Sequence, residues 1–298
     1  MAPMPLLTRR QLTLLIILTL VWGLNWPVMK LGVADISPLT FRMVSFWLGL
    51  PVLALVLLRQ GAPFIIARAY WPRLLLLAAT NMIAWHALMI LAIPRLSSGR
   101  AAILGYTMPI FSAVLGSLFF GDRLAWRAWS GVAAAALGVL LLLWHEVGML
   151  GASSLGVGLM LTSAACWALG TQLLRRTHLP VPLLTLTFWM FAITCTVLTA
   201  LAIGFERQTW HWPGTPALLA VLYNGLLALG FAQTAWFFLA RSLPPVASTL
   251  SVMLIPVIGV FSGALWLGEL LRWQDWAAVG LMALAIASVL WPSPPTQR

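Results

Sequence analysis

The sequence predicts an all-α polytopic membrane protein, ten transmembrane helices in two inverted five-helix repeats, on three observations. Charged residues make up 8% of the 298 positions and apolar ones 62%, against roughly 25% and roughly 45–50% in soluble domains. Ten apolar stretches are long enough, at about 20 residues each, to cross roughly 30 Å of hydrocarbon. The C-terminal half also repeats the N-terminal half: a shift of 147 places lays Pro109 on Pro256, Gly116 on Gly263, Gly121 on Gly268, Trp126 on Trp273 and Trp129 on Trp276, with Asp122 on Glu269. A register held without insertion over such a block marks a duplicated unit. With five spans per unit, the second copy must lie upside down. Inverted repeats of that kind build a site near the bilayer midplane that opens to either side in turn.

The first repeat, residues 1–147, places spans at approximately 11–31, 38–58, 73–93, 99–120 and 126–144. Arg9 and Arg10 precede the first, which is too long for the apolar core of an export signal and lacks a small-residue cleavage pattern, so it is expected to stay in the mature chain. The fourth carries Pro109, whose missing amide frees the carbonyl of Gly105, and then Ser112 and Gly116 one turn apart. The fifth carries Gly131, Ala135 and Gly138, small residues that suit either packing within the monomer or a homodimer face. His145 to Ser154, rich in Gly and Ser, reads as the linker. The second repeat, residues 148–298, places spans at approximately 155–174, 182–204, 215–240, 245–267 and 274–291, with Pro256 in the ninth at the position of Pro109. The fourth and ninth helices are the expected central pair, and Pro109 and Pro256 its paired hinges. The tenth helix is a second place for a homodimer contact.

The formal charge of +11 lies in loops, so it reports topology rather than nucleic-acid binding. With the N-terminus in the cytoplasm, eleven cations fall inside (Arg9, Arg10, Arg59, Arg68, Arg73, Arg123, Arg127, Arg175, Arg176, Arg241, Arg298) and six outside (Lys30, Arg42, Arg95, Arg100, Arg207, Arg272). That bias puts both termini inside. All six acids sit at span ends or in loops. A membrane-embedded proton carboxylate and a catalytic cluster are both missing from the pattern, so neither an enzyme nor carboxylate-based proton coupling is expected. Asp122 and Glu269 occupy matching G-[D/E]-x-L-x-W-x-x-W turns and read as acids that complement the start of the following helix. Cys166 and Cys195 lie within spans and form no metal site with the scattered histidines; no cofactor is expected.

The candidate site is built from groups that an interfacial belt of tryptophans does not explain. Trp22 and Trp26 flank Asn25; Trp85 and His86 follow Asn81; Trp167 precedes Gln172; Tyr106, Tyr223, Asn224, Gln233, Ser248 and Ser251 add uncharged polar groups on other helices. Aromatic faces alternating with amides suit a small molecule with an apolar ring and a polar end. With no buried formal charge in this reading, a strongly anionic solute has no clamp, and a zwitterion or a neutral aromatic compound fits better.

The segment V-W-G-L-N-W-P-V-M-K from Val21 to Lys30 and the repeated P-x(6)-G-x-L-x-x-G-[D/E]-x-L-x-W block resemble the EamA-type repeat of the drug/metabolite transporter superfamily, over nearly the whole chain. In length, tryptophan content and lack of a cavity carboxylate it is most similar to the YddG-type aromatic amino-acid exporters. The resemblance implies a bacterial inner-membrane carrier, with cytoplasmic termini and a cavity formed by the first four helices of each half. It implies a small-molecule substrate, with membrane lipid as the other partner. Amino-acid export is the expected activity. Efflux of flat aromatic or cationic xenobiotics is the alternative, and a scaffold without transport a third.

Overall fold

The structure, a computed structural model, describes residues 8–122, 126–146, 152–177, 179–240 and 245–290, without the side chains of 127–128, 142–146, 152–153, 237–238, 240, 245–253 and 289–290. Ten helical spans follow in order: α1 Arg9–Val33, α2 Pro38–Arg59, α3 Arg68–Arg95, α4 Ser98–Phe120, α5 Trp126–Glu146, α6 Ala152–Arg176, α7 Leu183–Glu206, α8 from 215 to 240, α9 Pro245–Leu267 and α10 Trp273–Leu290. Seven of them, α1 to α4 and α6 to α8, are long and apolar enough to cross a membrane; α5 and α9 contain shorter apolar stretches, Trp129–Leu141 and Leu254–Leu267.

The two halves pack as a pseudo-symmetric pair. α1 lies against α8 and α9, and its counterpart α6 lies against α3 and α4; α2 meets α8 as α7 meets α3. The pairs α2–α7, α4–α9 and α5–α10 join like to like across the axis. Since lipid is as apolar as a leucine side chain, these seams depend on close packing rather than on the hydrophobic effect. Gly131 and Gly138 supply one of them: Gly131 faces Ser288 and Ala285, and Gly138 faces Leu281 and Ala278. The small-residue stripe of α5 is therefore covered by α10 of the same chain, not offered to a second copy.

The repeated G-[D/E] block proves to be a helix-ending unit. Gly121 and Gly268 adopt left-handed φ angles of 72° and 64°, and the next amide turns back to the carbonyl of Gly116 (3.0 Å) or Gly263 (3.4 Å), which closes the helix end on a left-handed glycine. A β-carbon on Gly116 would lie 2.6 Å from the Asp122 carboxylate, and one on Gly263 2.5 Å from that of Glu269. Both glycines are required so that the acid can fold back over the last turn.

The acids then serve other helices, which corrects the expectation that each complements the helix following it. Glu269 accepts from the amides of Ser98 (2.7 Å) and Gly99 (3.3 Å) and from the Ser98 hydroxyl (2.8 Å), so it caps α4 of the opposite half. Glu206 caps α2 in the same manner, accepting from Leu39 (3.0 Å) and from the amide (2.7 Å) and hydroxyl (2.8 Å) of Thr40. Helix-start amides in an apolar setting need such acceptors, and charged ones bind them best. Asp122 instead pairs with Arg176 at 2.7 Å.

Two departures from regular helix break the bundle's uniformity. α3 and α8, which are counterparts, each contain a π-helical stretch, Ala78–Ala84 and Tyr223–Ala232, and each stretch contains an asparagine. α4 is interrupted: Ser98–Gly105 ends at Tyr106 and Thr107, and Met108–Phe120 restarts with Pro109 in its first turn. Pro109 is therefore at a helix start, not in mid-helix, whereas its repeat partner Pro256 lies inside the continuous α9.

We term the end bearing the α1–α2, α3–α4, α7–α8 and α9–α10 turns the outer end. There the halves are tied by the two glutamate caps, by Arg100–Asp275 at 3.0 Å, by Ser37–Thr209 at 2.6 Å and by the Trp210 indole on Thr40 at 2.8 Å. Gly99 abuts Val260, and Gly259 abuts Ala102, so the outer part of α4 presses on α9. Seven of the eight residues of Ser98–Gly105 are buried, but only Ile110 and Gly116 of Met108–Phe120 are. α4 is thus deeply buried at its outer end and much less so at its inner one.

Candidate functional site

The absence of a side chain at Gly105, just before the break in α4, draws the aromatic groups together. A β-carbon there would lie 2.7 Å from the Trp26 ring and 3.5 Å from that of Trp85. Trp26 in turn meets Tyr106 edge-on at 6.4 Å, and Trp85 meets Trp167 at 5.5 Å. Four of the expected residues, Trp26, Trp85, Tyr106 and Trp167, thus form one cluster contributed by α1, α3, α4 and α6. Gly259 of α9 borders Trp26 from the other half, where a β-carbon would lie 3.1 Å from its ring.

Amides stand beside this cluster at equivalent places in the two halves. Asn81, on the π stretch of α3, donates to the Trp167 carbonyl and the Thr171 hydroxyl of α6, each at 3.2 Å. Asn224, on the π stretch of α8, donates through Nδ2 to the side-chain Oδ1 of Asn25 on α1 at 2.7 Å. The wider winding of a π turn shifts side chains out of ordinary register, and in both halves it presents an asparagine to the neighbouring helix. Gly170 permits the approach on α6, since a β-carbon there would lie 2.7 Å from the backbone nitrogen and the β-carbon of Asn81.

Arg42 was assigned to the outer loops by sequence, and the structure corrects this. One turn into α2, it is 1% exposed and the largest fully buried side chain among the described residues. It donates through Nη1 to Asn224 Oδ1 at 3.0 Å and through Nη2 to the Met29 sulfur at 2.9 Å. A buried formal charge therefore adjoins the amides. Phe46, one turn further along α2, stacks edge-on with the His86 ring at 4.6 Å and meets Phe191 of α7 at 4.8 Å. His86 is buried, and among the described residues its Nδ1 has no partner.

Other expected residues are not part of this group. Trp22 donates to the Ala228 carbonyl at 3.2 Å, Tyr223 donates to that of Val21 at 2.9 Å, and Trp22 meets Trp236 at 5.9 Å. These groups close the α1–α8 seam. Gln172 donates to the Ser112 carbonyl and hydroxyl and accepts from Arg176, so it links α6 to α4 at the inner ion pair. Gln233 is half-buried at the start of the last segment of α8. The side chains of Ser248 and Ser251 lie outside the described residues. Sequence reading missed Arg42, Phe46, Phe191 and Gly105; only Arg42 left a signal, since Pro38 favours a first helical turn and so places Arg42 a turn inside α2. Among the described residues no group of three or more His, Cys, Asp or Glu is placed to hold a metal ion.

Ten helices in two inverted halves, with polar groups gathered where the halves meet, define a membrane transporter. The chain belongs to the EamA-like transporter family, whose model matches residues 10–144 and 154–291. It is 30% identical to the uncharacterised inner membrane transporter YedA of Escherichia coli K12 over 93% of this chain and 91% of that protein. A probable amino-acid metabolite efflux pump of Salmonella typhimurium is 29% identical, covering 93% and 94% of the two chains. A solved crystal structure superposes with a TM-score of 0.68 at 18% identity, over 94% of this chain and 96% of the other, a likeness of fold.

Proposed function

We propose that this transporter exports amino acids, with preference for aromatic or other bulky apolar ones, by alternating access across a bacterial inner membrane. The observation that carries the substrate class is the cluster of Trp26, Trp85, Tyr106 and Trp167 beside Asn25, Asn81 and Asn224. Stacking faces adjoin amides there, and His86 with its unpaired Nδ1 lies next to Trp85. Such a surface receives a ring and holds a polar end. Two relatives named as probable amino-acid metabolite efflux pumps support the same class.

In this reading both termini are cytoplasmic, residues 1–147 and 148–298 are the two moving units, and Pro109 and Pro256 are their hinges. The contacts tying the outer end and the sparse burial of Met108–Phe120 fit a state that admits solute from the cytoplasm. Competition in proteoliposomes tests the proposal: uptake of labelled phenylalanine should be suppressed by unlabelled tryptophan, tyrosine and leucine and little affected by glycine or aspartate. Saturable flux of planar dye cations with none of phenylalanine would replace it with the xenobiotic reading.

A further inference from the structure

Arg42 is buried, and among the described residues it has no counter-charge. Of the acids, Asp35 serves His211 and the Gly214 amide, Asp122 serves Arg176, Glu206 and Glu269 cap helices, and Asp275 serves Arg100 and the Arg272 amide. The Glu146 side chain lies outside the described residues. Among the described residues, no carboxylate lies within ion-pair distance of the Arg42 guanidinium. Uncompensated charge in such surroundings is costly, and one amide oxygen and one thioether are slender compensation.

The guanidinium's three nitrogens are unequally occupied. Nη1 has a good acceptor in Asn224. Among the described residues, Nη2 has only the Met29 sulfur, a weak acceptor, and Nε has no partner. Nε and Nη2 form one edge of the planar fork, whose paired N–H groups match the two oxygens of a carboxylate. Asn224 joins Arg42 to Asn25, and Asn25 is half-buried and one residue before Trp26 of the aromatic cluster. The cation is thus connected to the site by a chain of side-chain hydrogen bonds.

We infer that the Nε–Nη2 edge of Arg42 is the anchor for the carboxylate of the transported solute. This rests on the export reading above and narrows it: the solute carries a free carboxylate, and its ring lies toward Trp26 and Trp85. Asn224 holds the guanidinium in place, and Met29 yields to the incoming oxygen.

Thermal unfolding of the purified protein with benzoate or benzamide, two molecules that share a ring and differ in charge, tests the anchor apart from transport. Benzoate should raise the midpoint of the parental protein, benzamide should not, and Arg42→Gln should abolish the difference. Arg42→Lys, which keeps the charge and loses the fork, guards against a glutamine variant that fails to fold; it should retain only part of the benzoate shift. In counterflow, phenylalanine should outcompete phenylalaninamide about 10- to 150-fold, as expected for one charged hydrogen-bonded contact, and the preference should shrink in the lysine variant. Equal effects of benzoate and benzamide on the parental protein, or an undiminished carboxylate preference in the variants, would overturn the assignment. Carboxylate-specific stabilisation without phenylalanine counterflow would uphold the anchor and overturn the export reading.

Discussion

At Gly105 a β-carbon would collide with Trp26 and touch Trp85, so the smallest residue in α4 fixes the spacing of the aromatic cluster. Overpacking of this kind costs about 1–3 kcal/mol when neighbours must shift, and here the neighbours are the proposed ligand contacts. Gly105→Ala should cut phenylalanine transport at least tenfold at near-parental membrane abundance. Gly158→Ala, where the added carbon meets nothing within 4 Å, should leave it unchanged. Glu206 makes a complementary prediction for stability. Glu206→Gln replaces a charged acceptor for two backbone amides and one hydroxyl with a neutral one, and a loss of about 1–3 kcal/mol is expected, read as a lower unfolding midpoint in detergent.

Among the elements, α4 and α9 share a sequence pattern but not a conformation: one is broken ahead of Pro109, the other continuous through Pro256. If the halves exchange conformations during transport, restoring an amide to either helix should bias the protein in opposite senses. Pro109→Ala and Pro256→Ala should therefore shift cysteine labelling from the outer side in opposite directions, with both slowed in transport. Shifts of the same sign would reduce the prolines to static features. The α1–α2 and α7–α8 turns give the outer end a pH dependence. His211 contacts the Thr209 carbonyl and Asp35, each at 3.0 Å; both partners are acceptors, so both contacts are hydrogen bonds only when both ring nitrogens are protonated. The Thr209 carbonyl and then the Asp35 carboxylate raise the His211 pKa above its ordinary value, while the His211 contact and then the Gly214 amide lower that of Asp35. A raised histidine contributes fully below its unfolded pKa of about 6.5 and is lost as pH rises through the folded value; a lowered aspartate contributes above about 4 and is lost below it. Labelling at the outer end should thus be least between about pH 4 and 6.5 and increase toward pH 8. His211→Gln should flatten the rise.

At the scale of the molecule, sequence and structure agree where a feature is local and repeat-borne. Gly121 and Gly268 announce both helix ends, because a glycine takes the left-handed angle that lets the next amide turn back. The π stretches were not legible, since no residue type specifies one. Trp22, Tyr223 and Gln172 bond largely to backbone carbonyls of other helices, partners that no side-chain pattern reveals. Arg42 was misread because a charge near a span end looks like a loop charge until its partners across the seam are known.

The central claim is that two inverted halves alternate around one amino-acid site, without a membrane-embedded carboxylate to couple protons. Counterflow of labelled phenylalanine tests it most directly: proteoliposomes loaded with unlabelled phenylalanine, with no ion gradient, are diluted into a trace of label. A carrier that exchanges facing states predicts transient accumulation of label above equilibrium, abolished when the lumen is empty. Label that only equilibrates regardless of luminal phenylalanine, or that accumulates solely under an imposed pH gradient, would contradict it.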